Sequence, residues 1–314
     1  MKIEIPAASN PCAVTIGNFD GLHIGHREIM RRVVSTARAH GWTAAAVTFD
    51  PHPSRLVAPE RAPRLLTTPD ERCELMRREG IEQILILSFT PEVARLSPEE
   101  FVRQILVEKL NARAVLVGGN FRFGHRAAGD FHTLRELGIK YGFETEVVEP
   151  VHWRKRPVSS SAIRRAIAEG RVSLACRMLG RPYALEGAVV QGEGIGSRQT
   201  VPTLNLNTAA EVLPAHGVYV TRTFDLESSR QWPSITNVGV RPTFNGHQLT
   251  VETFLLAPLE DAAPHKIRVE FLRWVRSERK FADAALLKAQ ILRDVARAQA
   301  YFRRLDTIGR PVRV

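Results

Sequence analysis

The sequence predicts an α/β chain in two parts: a doubly wound parallel sheet, then a small antiparallel β-barrel with a C-terminal helix. Three observations predict it. To about Gly180, candidate strands alternate with helical stretches, the order that builds parallel sheets through crossover connections. Within that part, Ile84-Leu85-Ile86-Leu87 and Val115-Leu116-Val117 are apolar at every residue, as strands covered on both faces are. Past Gly180-Arg181-Pro182-Tyr183, runs of period two replace the helices. The boundary is expected between residues 181 and 182, leaving 1–181 and 182–314 with enough residues for a core each.

In order, strands are expected at 13–16, 43–49, 83–88, 114–117 and 144–148, with helices at 27–40, 69–79, 98–110 and 130–141 between them. A sheet of this kind binds ligands at the carboxyl ends of its strands. The first strand leaves its carboxyl end through Gly17-Asn18-Phe19-Asp20-Gly21-Leu22-His23-Ile24-Gly25-His26 and enters a helix at once. The first N–H groups of such a helix lack internal partners, and its dipole favours negative charge there. His23 and His26, three residues apart, fall on one face of that first turn. Gly25 between them leaves room for a ligand to approach the backbone. A phosphate docked there would receive amide and imidazole donors together. Two such histidines also suit a metal, but neither a third ligand nor an HExxH pattern accompanies them.

Beyond residue 182, strands are expected at 185–190, 217–223, 250–256 and 266–272, a set that suits a small antiparallel barrel or sandwich. Gly192, Gly194, Gly196, Pro214 and Asn245-Gly246 punctuate them. A last helix is expected at 282–305, where Ala285, Leu286, Ala289, Leu292, Val295 and Ala296 recur at helical spacing and should pack on the barrel.

Hydrophobic residues at 44% and charged residues at 25% suit a soluble globular protein. Apolar runs stay well short of the ~18 residues a membrane span requires, and Met1-Lys2-Ile3-Glu4-Ile5-Pro6 reads without a signal-peptide core. Cys12, Cys73 and Cys176 are odd in number and far apart, so a reducing cytoplasm is expected rather than a disulfide framework. The net charge of +11 is compatible with a polyphosphate substrate. Its basic residues are scattered, without a basic arm or an RNA-reading aromatic cluster, so neither a nucleic-acid nor a membrane partner is expected.

Further motifs fall at the same sheet edge. Thr48-Phe49-Asp50-Pro51-His52-Pro53 ends the second strand and Val117-Gly118-Gly119-Asn120-Phe121-Arg122-Phe123-Gly124 ends the fourth. Val158-Ser159-Ser160-Ser161-Ala162-Ile163-Arg164 places hydroxyls at a helix start and an arginine on its first turn, which makes a second phosphate clamp. Singly, the serines are N-caps and Phe121 and Phe123 are core; converging on one edge, they outline a site.

Taken together, these motifs and Gly180-Arg181-Pro182-Tyr183 resemble the bacterial bifunctional riboflavin kinase/FMN adenylyltransferases, also called FAD synthetases. The resemblance continues through Pro202-Thr203-Leu204-Asn205, Gly217-Val218-Tyr219, Asn237-Val238-Gly239-Val240-Arg241-Pro242-Thr243-Phe244, Val251-Glu252 and a helix at 281–294. It implies an N-terminal nucleotidyltransferase domain of the HxGH type that converts FMN and ATP to FAD and pyrophosphate. It also implies a C-terminal six-stranded kinase barrel that makes FMN from riboflavin and ATP with Mg²⁺. The implied partners are the small molecules riboflavin, FMN and ATP.

The resemblance puts His23 and His26 on the ATP phosphates, Ser160 and Arg164 on the pyrophosphate side, and Asn120 near the substrates. Gly17, Phe19, Asp20, Gly21 and Gly25 complete the implied ATP- and flavin-binding set. In the barrel it makes Thr203 and Asn205 the Mg²⁺–ATP ligands, hard oxygen donors of the kind magnesium takes. Glu252 becomes the base that accepts the proton of the ribityl 5′-hydroxyl as it attacks the γ-phosphate.

The kinase half departs from the family pattern. Ser197 and Thr200 stand where an arginine and a glycine are usual, Leu204 replaces Ala, and Phe254 replaces a His. Residues 257–265 replace the usual Asp-Phe and Leu-Tyr-Gly elements, and Asn120 stands where relatives carry Asp or Asn. Thr203, Asn205 and Glu252 are intact, so an active kinase is expected. The alternative is a monofunctional FMN adenylyltransferase whose barrel is inactive or serves as a flavin-binding regulatory module.

Overall fold

The computed structural model describes residues 10–190, 203–243, 246–259 and 262–307. Gly192, Gly194, Gly196, Ser197, Thr200, Pro202, Phe244, Asn245 and the N-terminal Met1-Lys2-Ile3-Glu4-Ile5-Pro6 lie outside the described residues. The chain divides into two compact units, Met1–Ser160 and Ser161–Val314.

The first unit runs β1 (Cys12–Ile16), α1 (Ile24–His40), β2 (Thr43–Asp50), α2 (Ser54–Val57), α3 (Pro69–Arg78), β3 (Gln83–Ser88), α4 (Pro91–Arg95) and α5 (Pro98–Phe101). It continues with β4 (Ala112–Gly118), α6 (Phe131–Tyr141), β5 (Glu144–Val148) and a hairpin of β6 (His152–Trp153) and β7 (Arg156–Pro157). The strands β1 to β5 are parallel, in the order β3-β2-β1-β4-β5. The strand order reverses between β1 and β4, so a crevice opens at their carboxyl ends, where ligands bind in open α/β sheets.

Alternation along each strand feeds two cores. Ala13, Ala44, Ala46 and Leu116 share one face with Met30, Val33 and Ala37 of α1 and Met76 of α3. Val14, Ile16, Ala45, Val47, Val115 and Val117 share the other with Phe101, Ile105, Leu106 and the α6 residues Leu134 and Leu137. Burying both faces explains the run Val115-Leu116-Val117. Ile84-Leu85-Ile86-Leu87 instead lies on the edge strand β3, where Leu85 and Leu87 are buried and Ile86 is 41% exposed, so that run is not covered on both faces as expected. Each buried Val, Leu or Met side chain contributes ~1.5–3 kcal/mol. The small alanines of β2 let α1 approach closely.

The helix expected at 98–110 is α5 followed by a π-helical turn, Val102–Val107. Val102, Ile105 and Leu106 stay buried in that winding, so their spacing suits either form.

Helix α7 (Ser160–Ala168) crosses the division. The second unit continues with α8 (Val172–Leu179), β8 (Tyr183–Val190), β9 (Thr203–Asn207), β10 (Gly217–Asp225), β11 (Gln231–Thr243), β12 (Gly246–Leu255), β13 (Lys266–Ser277) and α9 (Ala284–Thr307). The six strands close into an antiparallel barrel in the order β10-β11-β12-β9-β8-β13. Its interior holds a ladder of fully buried hydroxyls: Thr221 bonds Ser234 at 2.8 Å and Thr236 at 2.7 Å, and Thr236 bonds Thr253 at 2.9 Å.

Residues 161–180 belong with the barrel, 21 residues ahead of the expected boundary at 181/182. Helix α8 packs on β13 and β8, and Ser173 Oγ donates to the Leu272 carbonyl at 2.8 Å. A Cβ at Gly170 would fall 2.5 Å from Trp274 Cε3, so the turn between α7 and α8 lies flush against β13.

The packing face of α9 differs from the expected stripe. Leu286 is 50% exposed and Leu292 is 61% exposed, and Ala285, Ala289 and Ala296 also face solvent. Of the expected stripe, Val295 does pack against the barrel cluster, and Gln290, Asp294 and Ala298 turn inward beside it. Arg276 Nε meets Asp294 Oδ2 at 2.7 Å, and Gln290 Nε2 donates to Asp294 Oδ1 at 2.8 Å. A paired, hydrogen-bonded carboxylate can be buried where an apolar pattern is silent about it.

Candidate active sites

The turn after β1 is held in an unfavourable backbone shape. Phe19 has φ 48° and Leu22 has φ 34°, with Gly21 between them at φ 78°. Left-handed backbone at non-glycine residues costs ~1–3 kcal/mol each and persists only where surroundings over-determine it. Here Phe19 and Leu22 bury their side chains in the α1 core. Asp20, 2% exposed, accepts from the Leu66 N–H at 2.9 Å and the Thr67 N–H at 3.1 Å. The Gly21 N–H donates to Thr67 Oγ1 at 3.0 Å, and the Gly17 N–H to the Val47 carbonyl at 3.0 Å. Thr48 Oγ1 and Arg72 Nη1 both donate to the Asn18 carbonyl, at 3.3 and 2.6 Å. Ser160 Oγ donates to the Asp20 carbonyl at 2.8 Å, which ties the serine motif to this turn.

His23 is the N-cap of α1, and its Nδ1 accepts from the backbone N–H of His26 at 3.3 Å. An accepting Nδ1 leaves the proton of the neutral ring on Nε2. The two imidazoles stack with centroids 3.6 Å apart and planes 17° apart, and Phe19 meets His26 edge-on at 5.3 Å. A Cβ at Gly25 would lie 3.2 Å from His23 Cε1, so a larger residue would press on the imidazole. Burial, and secondarily the neighbouring His23, hold the pKa of His26 well below its ordinary value of 6.5. Its buried Nδ1 has no hydrogen-bond partner among the described residues. The first turn of α1 carries no acidic residue, so the positive end of the helix is uncompensated.

At the adjoining strand end, a Cβ at Gly118 would meet Asn120 Oδ1 at 3.6 Å and Ile29 Cδ1 of α1 at 3.7 Å. That places the exposed Asn120 beside the first turns of α1. Phe121 and Phe123 stack at 5.3 Å, and Phe123, 7% exposed, belongs to the sheet core. His52 is engaged locally, accepting from the Ser54 N–H at 3.2 Å.

The structure thus brings Gly17, Phe19, Asp20, Gly21, His23, Gly25, His26 and Ser160 onto one turn, with Asn120 at the next strand end. Asp20 holds the turn's shape through Leu66 and Thr67. Arg164 lies farther along α7, within the second unit. Thr67 and Arg72 were not singled out in the sequence. A helix start is legible at Thr68-Pro69, but the partners of Thr67 and Arg72 are 46 and 54 residues away.

In the barrel, Glu252 of β12 lies opposite Asn205 of β9 on one side and Asn237 of β11 on the other. Thr203 lies opposite Phe254. Leu204, Leu206, Val251, Thr253 and Leu255 are buried inside, so alternation puts Thr203, Asn205, Asn237 and Glu252 on the outer face. Phe254 packs there with Val218, Val220, Ile235 and the α9 residue Ala298, which accounts for an aromatic in place of the usual His.

Thr203 Oγ1 is buried without a hydrogen-bond partner among the described residues. An orphan hydroxyl oxygen beside an amide and a carboxylate is a donor set that fits a hard divalent cation. Among the described residues, no group of three or more His, Cys, Asp or Glu could hold a metal.

Residues 5–162 match the FAD synthetase family and residues 179–302 the riboflavin kinase family. The chain is 33% identical over 296 residues to the bifunctional riboflavin kinase/FMN adenylyltransferase of Escherichia coli (strain K12), covering 94% of each. It is 36% identical over 290 residues to the protein of that name from Pseudomonas fluorescens, covering 92% of each. A solved structure described as a macrolide-efflux protein from Streptococcus pneumoniae matches with a TM-score of 0.84 and 28% identity, over 95% of this chain and 96% of that one. Among the described residues of this chain, no helix is long and apolar enough to cross a membrane.

Proposed function

The chain belongs to the bifunctional riboflavin kinase/FMN adenylyltransferase family, and from that premise we propose that its two reactions run on the two residue sets described above. It phosphorylates riboflavin to FMN with ATP, and it transfers the adenylyl group of ATP to FMN, giving FAD and pyrophosphate.

The observation that carries the first assignment is a stacked pair of imidazoles at an uncompensated helix N-terminus. A phosphate oxygen of FMN attacks the α-phosphorus of ATP, the bond to the bridging oxygen breaks, and its electron pair leaves with pyrophosphate. The protein's share is alignment and stabilisation of developing negative charge. His23 donates through Nε2–H, and His26, stacked on it with an unpartnered Nδ1, shares the same helix end. Asn120 positions the substrates at the strand end. Ser160 and, on the same helix, Arg164 are assigned to the pyrophosphate on the family resemblance.

In the barrel, Glu252 accepts the proton of the riboflavin 5′-hydroxyl as that oxygen attacks the γ-phosphorus of ATP and ADP departs. Thr203 and Asn205 would hold Mg²⁺, which when bound neutralises phosphate charge. The orphan oxygen of Thr203 supports that assignment. Asn237, opposite Glu252 in the strand register, is placed to orient the carboxylate.

The working division is 1–181 and 182–314, because a first piece must retain the whole of α7 with Ser160 and Arg164. A reducing cytoplasm is the setting that suits the free Cys12, Cys73 and Cys176. Residues 1–181 alone, given FMN and ATP, should yield FAD by chromatography. A soluble but inactive piece would refute the assignment of the adenylyl-transfer site to these residues.

A further inference from the structure

Arg72 of α3 is 2% exposed, and among the described residues it forms no ion pair. Its Nη1 donates to the Asn18 carbonyl at 2.6 Å and its Nη2 to the Phe49 carbonyl at 3.3 Å, while its buried Nε has no partner. Burial pulls the guanidinium pKa down, and Asp20, Cys73 and Asp50 push it back up. An arginine remains protonated through such opposing effects. Asp20 and Asp50 act on this charge without a direct ion pair, so burying it remains expensive, and a neutral side chain could brace a loop at lower cost. Both carbonyls it holds lie at the carboxyl edge of the sheet. Asn18 precedes Phe19 in the left-handed turn under His23 and His26, and Phe49 is in the last residues of β2.

We infer that Arg72 is a positioning residue for adenylyl transfer: it fixes the Asn18–Phe19 turn and supplies a buried positive charge behind the ATP phosphates. The inference rests on the assignment of the His23–His26 turn to adenylyl transfer. Positive potential focused on a polyanion site strengthens binding without direct contact. A purely structural brace would tolerate any substitution that preserves the fold. A charge-bearing one would tolerate lysine far better than a neutral residue of similar length.

The test measures FAD synthesis from FMN at varied ATP in the full chain, for wild type, Arg72→Lys, Arg72→Met and His26→Ala. Riboflavin phosphorylation and circular dichroism serve as controls for folding. Arg72→Met should raise KM for ATP at least about tenfold, and at least about fivefold above Arg72→Lys, with the kinase rate unchanged. A Met-to-Lys ratio below about fivefold would overturn the inference. Should Arg72→Met leave the first unit unfolded, Arg72→Gln takes its place under the same criterion, keeping a donor and dropping the charge. Wild-type FAD synthesis in His26→Ala would instead overturn the underlying site assignment, so the two failures are distinguishable.

Discussion

Glu252 on β12 lies directly opposite Asn205 on β9, and the next strand over places Asn237 directly opposite Glu252 on its other side. Two amides thus flank the carboxylate in register, where both can orient it. Asn237→Asp would set a second carboxylate against Glu252, and like charges that close raise one pKa of the pair. The riboflavin kinase rate should fall about tenfold at neutral pH and recover as pH rises, because the base must be ionised. An unchanged pH profile would separate Asn237 from the base.

Thr203→Val keeps the side-chain shape and removes the orphan hydroxyl. A buried unsatisfied polar atom costs ~1–3 kcal/mol, so the variant should be at least as stable as wild type. Riboflavin phosphorylation should nevertheless drop, and its Mg²⁺ requirement should rise. Loss of stability together with normal kinase activity would contradict the ligand assignment.

His26 gives the first unit a defined acid sensitivity. Its folded pKa lies well below 6.5, its ordinary value, through burial and then His23. Below about pH 6.5 the unfolded chain therefore binds more protons than the folded one. Stability falls as pH drops, by at most about 1.4 kcal/mol per pH unit, until the folded pKa is passed. His26→Gln lacks this contribution, so its stability relative to wild type should improve steadily from pH 6.5 to 5. A difference independent of pH would mean that the ring is not buried neutral.

The two faces of α9 should respond oppositely to their composition. Asp294→Ala leaves Arg276 without its buried partner and should cost ~3–5 kcal/mol. Leu292→Ser, at a residue 61% exposed, should stay within about 0.5 kcal/mol. Unfolding free energies of the two variants check the orientation of the helix.

Legibility in the sequence tracked how local the determining interactions are. β4 lies where its apolar run places it, because a central strand covered on both faces writes its burial into every residue, whereas β3 and β5 keep the expected bounds as edge strands with exposed residues. His23 and His26 were legible as a pair on a first helical turn. His23 as the N-cap was not, since Ser, Thr, Asp and Asn usually hold that position. β11 hides behind Pro233, Gly239 and Pro242, which break strand patterns. Barrel closure depends on pairings such as β10 with β13, far apart in the chain, so period-two runs alone left barrel and sandwich equally open. The inward face of α9 was misread in part because Asp294 and Gln290 are polar, and their partners Arg276 and Arg279 lie on another segment of the chain.

The claim most exposed to test is that two chemistries sit on separate residue sets of one chain. Purified full-length His26→Ala and Glu252→Gln should each be given riboflavin, ATP and Mg²⁺, and FMN and FAD resolved over time. His26→Ala should accumulate FMN with FAD synthesis down by ~10²–10³. Glu252→Gln should lose riboflavin phosphorylation by ~10²–10⁴, yet convert supplied FMN to FAD at the wild-type rate. His26→Ala losing riboflavin phosphorylation as well, Glu252→Gln failing to convert supplied FMN to FAD, or either correctly folded variant keeping the step assigned to its residue would contradict the account.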